Sequence, residues 1–167
     1  MRRHEHAIYA YDKSLKIKPD YYYAWNNKGI ALKNLGRYEE AIYAYDQALK
    51  IKPDYHNYWY DKGYAIYNLG RYEEAIYAYD KALKIKPDYQ YYWDNKGNAL
   101  RKSERYEEAI YAYDRALKIK PDYHYAWKNK GIALKNLGRY EEAIYAYDRV
   151  LKIKPDYYYA WKKKVLL

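Results

Sequence analysis

Residues 22–55 read YYAWNNKGIALKNLGRYEEAIYAYDQALKIKPDY, and the fold is decided by the fact that this stretch recurs. Prolines at 19, 53, 87, 121 and 155 and tryptophans at 25, 59, 93, 127 and 161 keep the same 34-residue step. Strict self-similarity at this length means stacked supersecondary units that bury their apolar faces against one another rather than one globular core. Working outward from 22–55, the chain divides into repeats 56–89, 90–123 and 124–157. Residues 1–21 match only the second half of the unit and residues 158–167 only the first.

Within the unit, Tyr38, Ala41, Ile42, Tyr45, Ala48 and Leu49 recur at three and four residues, which is an apolar stripe at the helical period. Trp25, Gly29 or Ile30, Leu32 and Leu35 do so more loosely. Asn34-Leu35-Gly36 between them is a helix stop, with Gly36 suited to the left-handed position. Glu39-Glu40 opens the second helix and Lys50 and Lys52 close it, favourable signs for its dipole. Pro53 forbids continuation and Asp54 is placed to cap the next helix. Each repeat is therefore a helix A, a turn and a helix B. In the third copy the turn reads Lys102-Ser103-Glu104, so either a residue with a side chain takes the left-handed position or the turn changes shape, at a cost of about 1 kcal/mol. Val150 stands where other copies have Ala48, Ala82 and Ala116, which overfills a close helix contact.

The composition has 30 tyrosines and no phenylalanine, so buried rings need hydrogen-bond partners or a wet edge. Absence of cysteine excludes a disulfide framework and thiol chemistry. No apolar run approaches the roughly 20 residues of a bilayer span, and no apolar segment follows the basic start, so the chain reads as soluble and cytoplasmic, with no membrane partner. The net charge of +10 points to an acidic partner. It is uneven, however: residues 124–157 carry +3 and residues 158–167 another +3, while residues 56–89 are neutral. A continuous nucleic-acid stripe would not look like this.

Trp, Gly, Tyr, Ala, Tyr, Ala and Pro at these fixed offsets resemble the tetratricopeptide repeat over nearly the whole chain. The resemblance implies an all-α fold, a right-handed superhelical solenoid of antiparallel helix pairs. One departure is regular: where the family usually has leucine before the helix-A glycine, this chain has Lys28, Lys62, Lys96 and Lys130. Each is expected to lay its stem on the neighbouring helix and keep its ammonium in water.

Helix B is nearly identical between copies, and helix A is where they diverge. In the family, helix A lines a concave groove that binds peptides. The groove residues implied are Tyr23, Asn26, Asn27, Ile30, Lys33 and Asn34 in the first repeat, and Asn57, Tyr60, Asp61, Tyr64, Tyr67 and Asn68 in the second. The third contributes Tyr91, Asp94, Asn95, Asn98, Arg101 and Lys102, the fourth Tyr125, Lys128, Asn129, Ile132, Lys135 and Asn136, and the last helix Lys162. Tyr60, Tyr64 and Tyr67 would form an aromatic ridge, or else pack on adjacent helices. Asn27, Asn95 and Asn129 would clamp a ligand backbone. Some family members grip a C-terminal carboxylate with lysines and asparagines. The best window here, Asn98, Asn129 and Lys163, has Asp94 in the first lysine's place and Tyr159 in that of another basic residue, which sets carboxylate against carboxylate.

A second row, Tyr9, Tyr43, Tyr77, Tyr111 and Tyr145, lies on helix B, either a sticky convex surface or single exposed rings. Phosphate loops, cofactor motifs and metal-ligand spacings do not occur; His4 and His6 are two apart, which does not place them on one helical face. Four copies of Glu-Glu read as helix starts rather than catalytic pairs. The chain is thus expected to be a non-enzymatic peptide-binding scaffold without cofactor. The alternatives are RNA or single-stranded nucleic-acid binding by tyrosine stacking, and a structural spacer whose terminal half-repeats stack head to tail.

Overall fold

A computed structural model describes residues 2–166, in which every regular element is a helix. The chain forms two compact units, Met1–Pro87 and Asp88–Leu167. The first holds α1 (Arg2–Ile17), α2 (Tyr22–Asn34), α3 (Tyr38–Ile51), α4 (His56–Asn68) and α5 (Tyr72–Ile85). The second holds α6 (Gln90–Lys102), α7 (Tyr106–Ile119), α8 (His124–Asn136), α9 (Tyr140–Ile153) and α10 (Tyr158–Val165). Within each unit every helix packs on the next. The A helices also meet directly, α2 with α4 and α6 with α8, so that their outer surfaces make a shared face.

The turn after helix A closes as the glycine predicts. Gly36 has φ 75°, its N–H donates to the Lys33 carbonyl at 3.0 Å, and the Arg37 N–H reaches back to the Leu32 carbonyl at 3.0 Å. These two hydrogen bonds satisfy carbonyls that the helix end leaves open. In the third copy Glu104 takes φ 61° and Arg105 reaches the Leu100 carbonyl at 2.9 Å. The same turn is therefore kept by a residue that pays for its Cβ. Glu104→Gly should raise stability by about 1 kcal/mol, read as a higher urea midpoint; an unchanged or lower midpoint would refute the strain.

Asp54 does not cap α4. The residue before the helix is Tyr55, in extended conformation and with no side-chain cap bond. The sharper restraint is a tie between tryptophan and proline. The indole N–H of Trp25 donates to the Pro19 carbonyl at 2.8 Å, Trp59 to Pro53 at 2.9 Å, Trp127 to Pro121 at 2.8 Å and Trp161 to Pro155 at 3.0 Å. The equal periods of the two residue types have this physical cause.

The lysines at the offset before the helix-A glycine lay their stems across the helix contact and tie their ammonium groups to partly exposed carboxylates at its edge. Lys28 pairs with Asp12 of the preceding helix B at 2.6 Å, Lys62 with Asp46 at 2.5 Å, Lys130 with Asp114 at 2.6 Å and Lys164 with Asp148 at 2.7 Å. Each stem is only partly exposed, and the ammonium groups of Lys28, Lys62 and Lys130 also sit 5.5 Å from the centroids of Trp25, Trp59 and Trp127. A lysine thus replaces leucine because a carboxylate 16 residues earlier meets it across the helix contact.

The paired glutamates are tied in the same structural way. Arg37 grips Glu40 through two nitrogens at 2.6 Å and reaches Glu5 at 3.3 Å; Arg71 does the same with Glu74 and Glu39. The arginine bonds hold the Glu40 and Glu74 carboxyls below their usual range.

Candidate peptide-binding face

The side chains predicted to form a groove lie on or beside the shared helix-A faces, but most are already engaged with other parts of the chain. In the first unit Lys33 of α2 pairs with Asp61 of α4 at 2.6 Å, both largely shielded from solvent. The same ammonium lies 5.4 Å from the Tyr64 ring centroid. Asn26 is buried, Asn27 and Ile30 are half-buried, and Tyr23 and Asn57 are exposed.

The three tyrosines of α4 do not make a continuous ridge. Tyr60 turns its ring to Tyr79 of α5 at 5.9 Å and Tyr67 to Tyr72 at 5.4 Å. Tyr64 is the one that stays exposed on the face. Rings at i and i+7 can reach helix B, where burial against another aromatic gains more than contact with water.

In the second unit the face is built around a buried carboxylate. Asp94 of α6 is 5 % exposed and accepts hydrogen bonds from the Asn129 amide of α8 at 3.3 Å, from the Asn98 amide at 3.4 Å and from the Tyr123 hydroxyl at 3.4 Å. Asn98 in turn accepts from the Tyr113 hydroxyl at 3.1 Å. Burial pushes the Asp94 carboxyl up to about 6, against the opposing bond from Asn129 and the charge of Lys128. Lys128 is lowered by its own burial, partly restored by Asp94, and lowered further by Arg101.

Two expectations change here. Asn129 and Asn98, read as groups that would hold a ligand's carboxylate or backbone, hold the chain's own carboxylate instead. Asn95 donates to the Tyr91 carbonyl of its own helix at 2.8 Å. Tyr91 and Tyr125 are exposed, with Lys128 5.4 Å from the Tyr125 centroid. Arg101, Ile132 and Lys135 are half-buried and Lys162 exposed.

Not all helix-A variation faces outward. Ala24, Tyr58, Tyr92 and Ala126 share one offset and are all buried, so this difference is a change of core volume. Tyr58 packs 4.4 Å from the Tyr55 centroid, and burial pushes its hydroxyl up to about 12. Tyr45, Tyr79, Tyr113 and Tyr147, one per repeat, are fully buried against the helix-A glycines. Among the described residues the hydroxyls of Tyr45, Tyr79 and Tyr147 meet no hydrogen-bond partner, whereas Tyr113 donates its hydroxyl to Asn98, which stands where the other copies have Ile30, Tyr64 and Ile132. That substitution was the sequence signal for the Asp94 cluster.

The tetratricopeptide-repeat family model matches residues 1–56, 26–89 and 95–158. The chain belongs to the tetratricopeptide-repeat family. No curated protein matches the sequence. Among solved structures, tetratricopeptide neighbours share the fold. MamA matches with TM-score 0.86 at 23 % identity over 89 % of this chain and 86 % of its own. YrrB, described as a TPR protein with an unusual peptide-binding site, matches with TM-score 0.88 at 21 % identity over 98 % of this chain and 84 % of its own. MamA residues 41 to the end from Desulfovibrio magneticus RS-1 matches with TM-score 0.88 at 22 % identity over 93 % and 89 %. As a tetratricopeptide array the chain is an all-α solenoid of helix pairs, and among the described residues no helix is long and apolar enough to cross a membrane.

The helix-B tyrosines of this array are neither buried nor bare. Tyr43, Tyr77, Tyr111 and Tyr145 are more than half exposed, yet each meets the tryptophan of its repeat edge-on at 6.0 to 6.3 Å. Arg115 lies over both Trp93 and Tyr111. The tyrosines extend the tryptophan–lysine–aspartate contacts toward solvent.

Proposed function

We propose that this tetratricopeptide array is a non-enzymatic scaffold that holds an extended or short helical peptide of a partner protein on its helix-A faces. The observation that carries this reading is where the copies differ. Helix B repeats almost without change, whereas helix A varies, and the variable side chains Tyr64, Tyr125, Lys128 and Lys162 stand at least partly open beside meeting helices. YrrB shares the fold and is described as having a peptide-binding site, which agrees with this use of the architecture.

An acidic partner suits the second unit. Arg101, Lys128, Lys135 and Lys162 lie along α6, α8 and α10, and the one carboxylate among the groove residues there, Asp94, is buried and hydrogen-bonded internally. The test is an array of acidic and neutral peptides probed with the wild type and with the Tyr64→Ala/Lys128→Ala variant. Peptides retained by the wild type should bind the variant at least tenfold more weakly, since aromatic and cationic anchors carry most interface energy. Helicity should be unchanged by circular dichroism. Equal binding by the two proteins would sink the reading. Binding instead to mixed single-stranded oligonucleotides, with a steep fall in salt, would favour nucleic acid.

A further inference from the structure

A run of aromatic rings crosses the second unit at the leading ends of its A helices. Centroid to centroid, Tyr89 lies 5.6 Å from Tyr91, Tyr91 5.5 Å from Tyr123 and Tyr123 5.7 Å from Tyr125. His124 carries the run on, 4.0 Å from Tyr125 and 5.9 Å from Tyr157, and Tyr157 meets Tyr159 at 6.3 Å. Rings from the turns before the helices, Tyr89, Tyr123 and Tyr157, thus alternate with rings at the second position of each helix, Tyr91, Tyr125 and Tyr159. The Tyr123 hydroxyl donates to buried Asp94 at 3.4 Å, which anchors the middle of the run. In the first unit the alternation stops after Tyr21 and Tyr23, because α4 has Asn57 at that position and Tyr55 turns to His56 and Tyr58.

The rings cross steeply: Tyr91 and Tyr123 at 84°, His124 and Tyr157 at 72°, Tyr89 and Tyr91 at 65°, Tyr123 and Tyr125 at 64°. Tyr89, Tyr91, Tyr125 and Tyr159 are 36 to 46 % exposed, so the slots between them open to solvent. A nucleobase needs a parallel ring face, whereas a pyrrolidine ring fits a slot. Having no N–H, proline also enters apolar surroundings without abandoning a hydrogen bond. A polyproline II helix turns once in roughly 9 Å and arrives preformed. That is the scale of two zigzag steps of 5.5 to 5.7 Å along the run. Cations border it, with Lys128 5.4 Å from the Tyr125 centroid and Lys163 5.5 Å from that of Tyr159. Burial, then the charges of Lys154, Lys128 and Lys120, lowers the His124 imidazole, which keeps that ring neutral near pH 7. Each turn also carries an aspartate, Asp88, Asp122 or Asp156, which interrupts any track for phosphates.

We propose that the aromatic run of the second unit binds a proline-rich partner segment in the polyproline II conformation, with prolines in the slots between crossed rings and flanking acidic residues beside Lys128 and Lys163. The inference rests on the peptide-binding reading and names the class of peptide. Affinity comes from ring contacts along the run, and the lysines set the preference for acidic flanks. The first unit, interrupted at Asn57, does not share this use.

The test uses the whole chain and labelled, capped peptides followed by fluorescence anisotropy. The main probe is a run of prolines flanked by glutamates; one counterpart has alanine for proline and the other glutamine for glutamate. Losing the prolines should weaken binding at least tenfold and losing the glutamates about threefold. Tyr125→Asn, which copies Asn57, should weaken the main probe at least tenfold. Tyr23→Asn, the same change in the unit where the run is interrupted, should leave it unchanged. Nuclear Overhauser contacts should join the proline rings to the rings of Tyr91 and Tyr125. Equal binding of either counterpart, or equal losses from the two variants, would overturn the proposal. If oligothymidylate binds instead, with a steep fall in salt, the partner is nucleic acid and the proposal is wrong. If the proline probe fails while peptides from the array are still lost on Tyr64→Ala/Lys128→Ala, this class of partner is wrong and the peptide-binding face stands. Should Tyr125→Asn lose its helicity, the Overhauser contacts still decide.

Discussion

Gly97→Ala should destabilise the protein by about 2 kcal/mol, although alanine is the better helix former by nearly 1 kcal/mol. A Cβ at Gly97 would lie 2.5 Å from Cε1 and 2.8 Å from Cδ1 of Tyr113. That ring has nowhere to go: Tyr113 is fully buried, and its hydroxyl is held by Asn98 at the far end. Overpacking costs most where the neighbour cannot change rotamer. A fall in urea midpoint, followed by far-ultraviolet circular dichroism, measures the loss. Combining Gly97→Ala with Tyr113→Leu gives a sharper test, because the smaller side chain makes room and the double variant should be more stable than the sum of the single losses. Strictly additive losses would show that the contact between glycine and ring is not the cause. Equivalent contacts at Gly29, Gly63 and Gly131 bring Cε1 of the facing tyrosine to 2.6 to 2.8 Å, so each repeat should respond in the same direction.

The second large effect depends on pH. The Asp94 carboxyl titrates at about 6 in the fold, against about 3.9 in an unfolded chain. A raised folded value means that the native state binds the proton more tightly. Asp94 therefore lowers stability when it is charged above pH 6, and that penalty shrinks as pH falls and is gone below pH 4. A difference of about two pK units corresponds to about 2–3 kcal/mol. Asp94→Asn, which copies the Asn26 of the first unit, should be the more stable protein at pH 7 by about 2 kcal/mol, with the advantage vanishing by pH 4. The Arg-bound Glu40, Glu74, Glu108 and Glu142 have lowered values and act the other way, losing stability as the medium turns acid. Both proteins share them, so the difference between variant and wild type isolates Asp94. A gap that stays constant from pH 7 to pH 4 would contradict the assignment.

The fold was legible because its determinants are close in sequence. Gly36 and Glu104 take left-handed backbone where the helix-stop pattern says they must, and the apolar stripe of helix B is the buried face of α3, α5, α7 and α9. The cap is the exception: Asp54 has the right chemistry but sits one residue before the position that could use it. The candidate binding face was legible only as a surface. That helix A varies could be read by comparing copies, but Tyr58 and Tyr92 vary in the core. Tyr60 and Tyr67 lean on helix B, and Asn98 and Asn129 are spent on Asp94.

By itself the sequence determined the 34-residue period, the helix pair and the turn between its helices. These follow from interactions along a few turns of chain, where spacing, backbone freedom and side-chain volume suffice. Tertiary structure alone decided which charges meet. Lys28 finds Asp12 and Lys33 finds Asp61, while Arg101 finds no carboxylate among the described residues, although Asp94 lies on its own helix. Ion pairing and burial depend on distances between helices brought together from 16 to 35 residues apart, and an exchange of asparagine with aspartate across such a contact is invisible in composition, charge and periodicity alike.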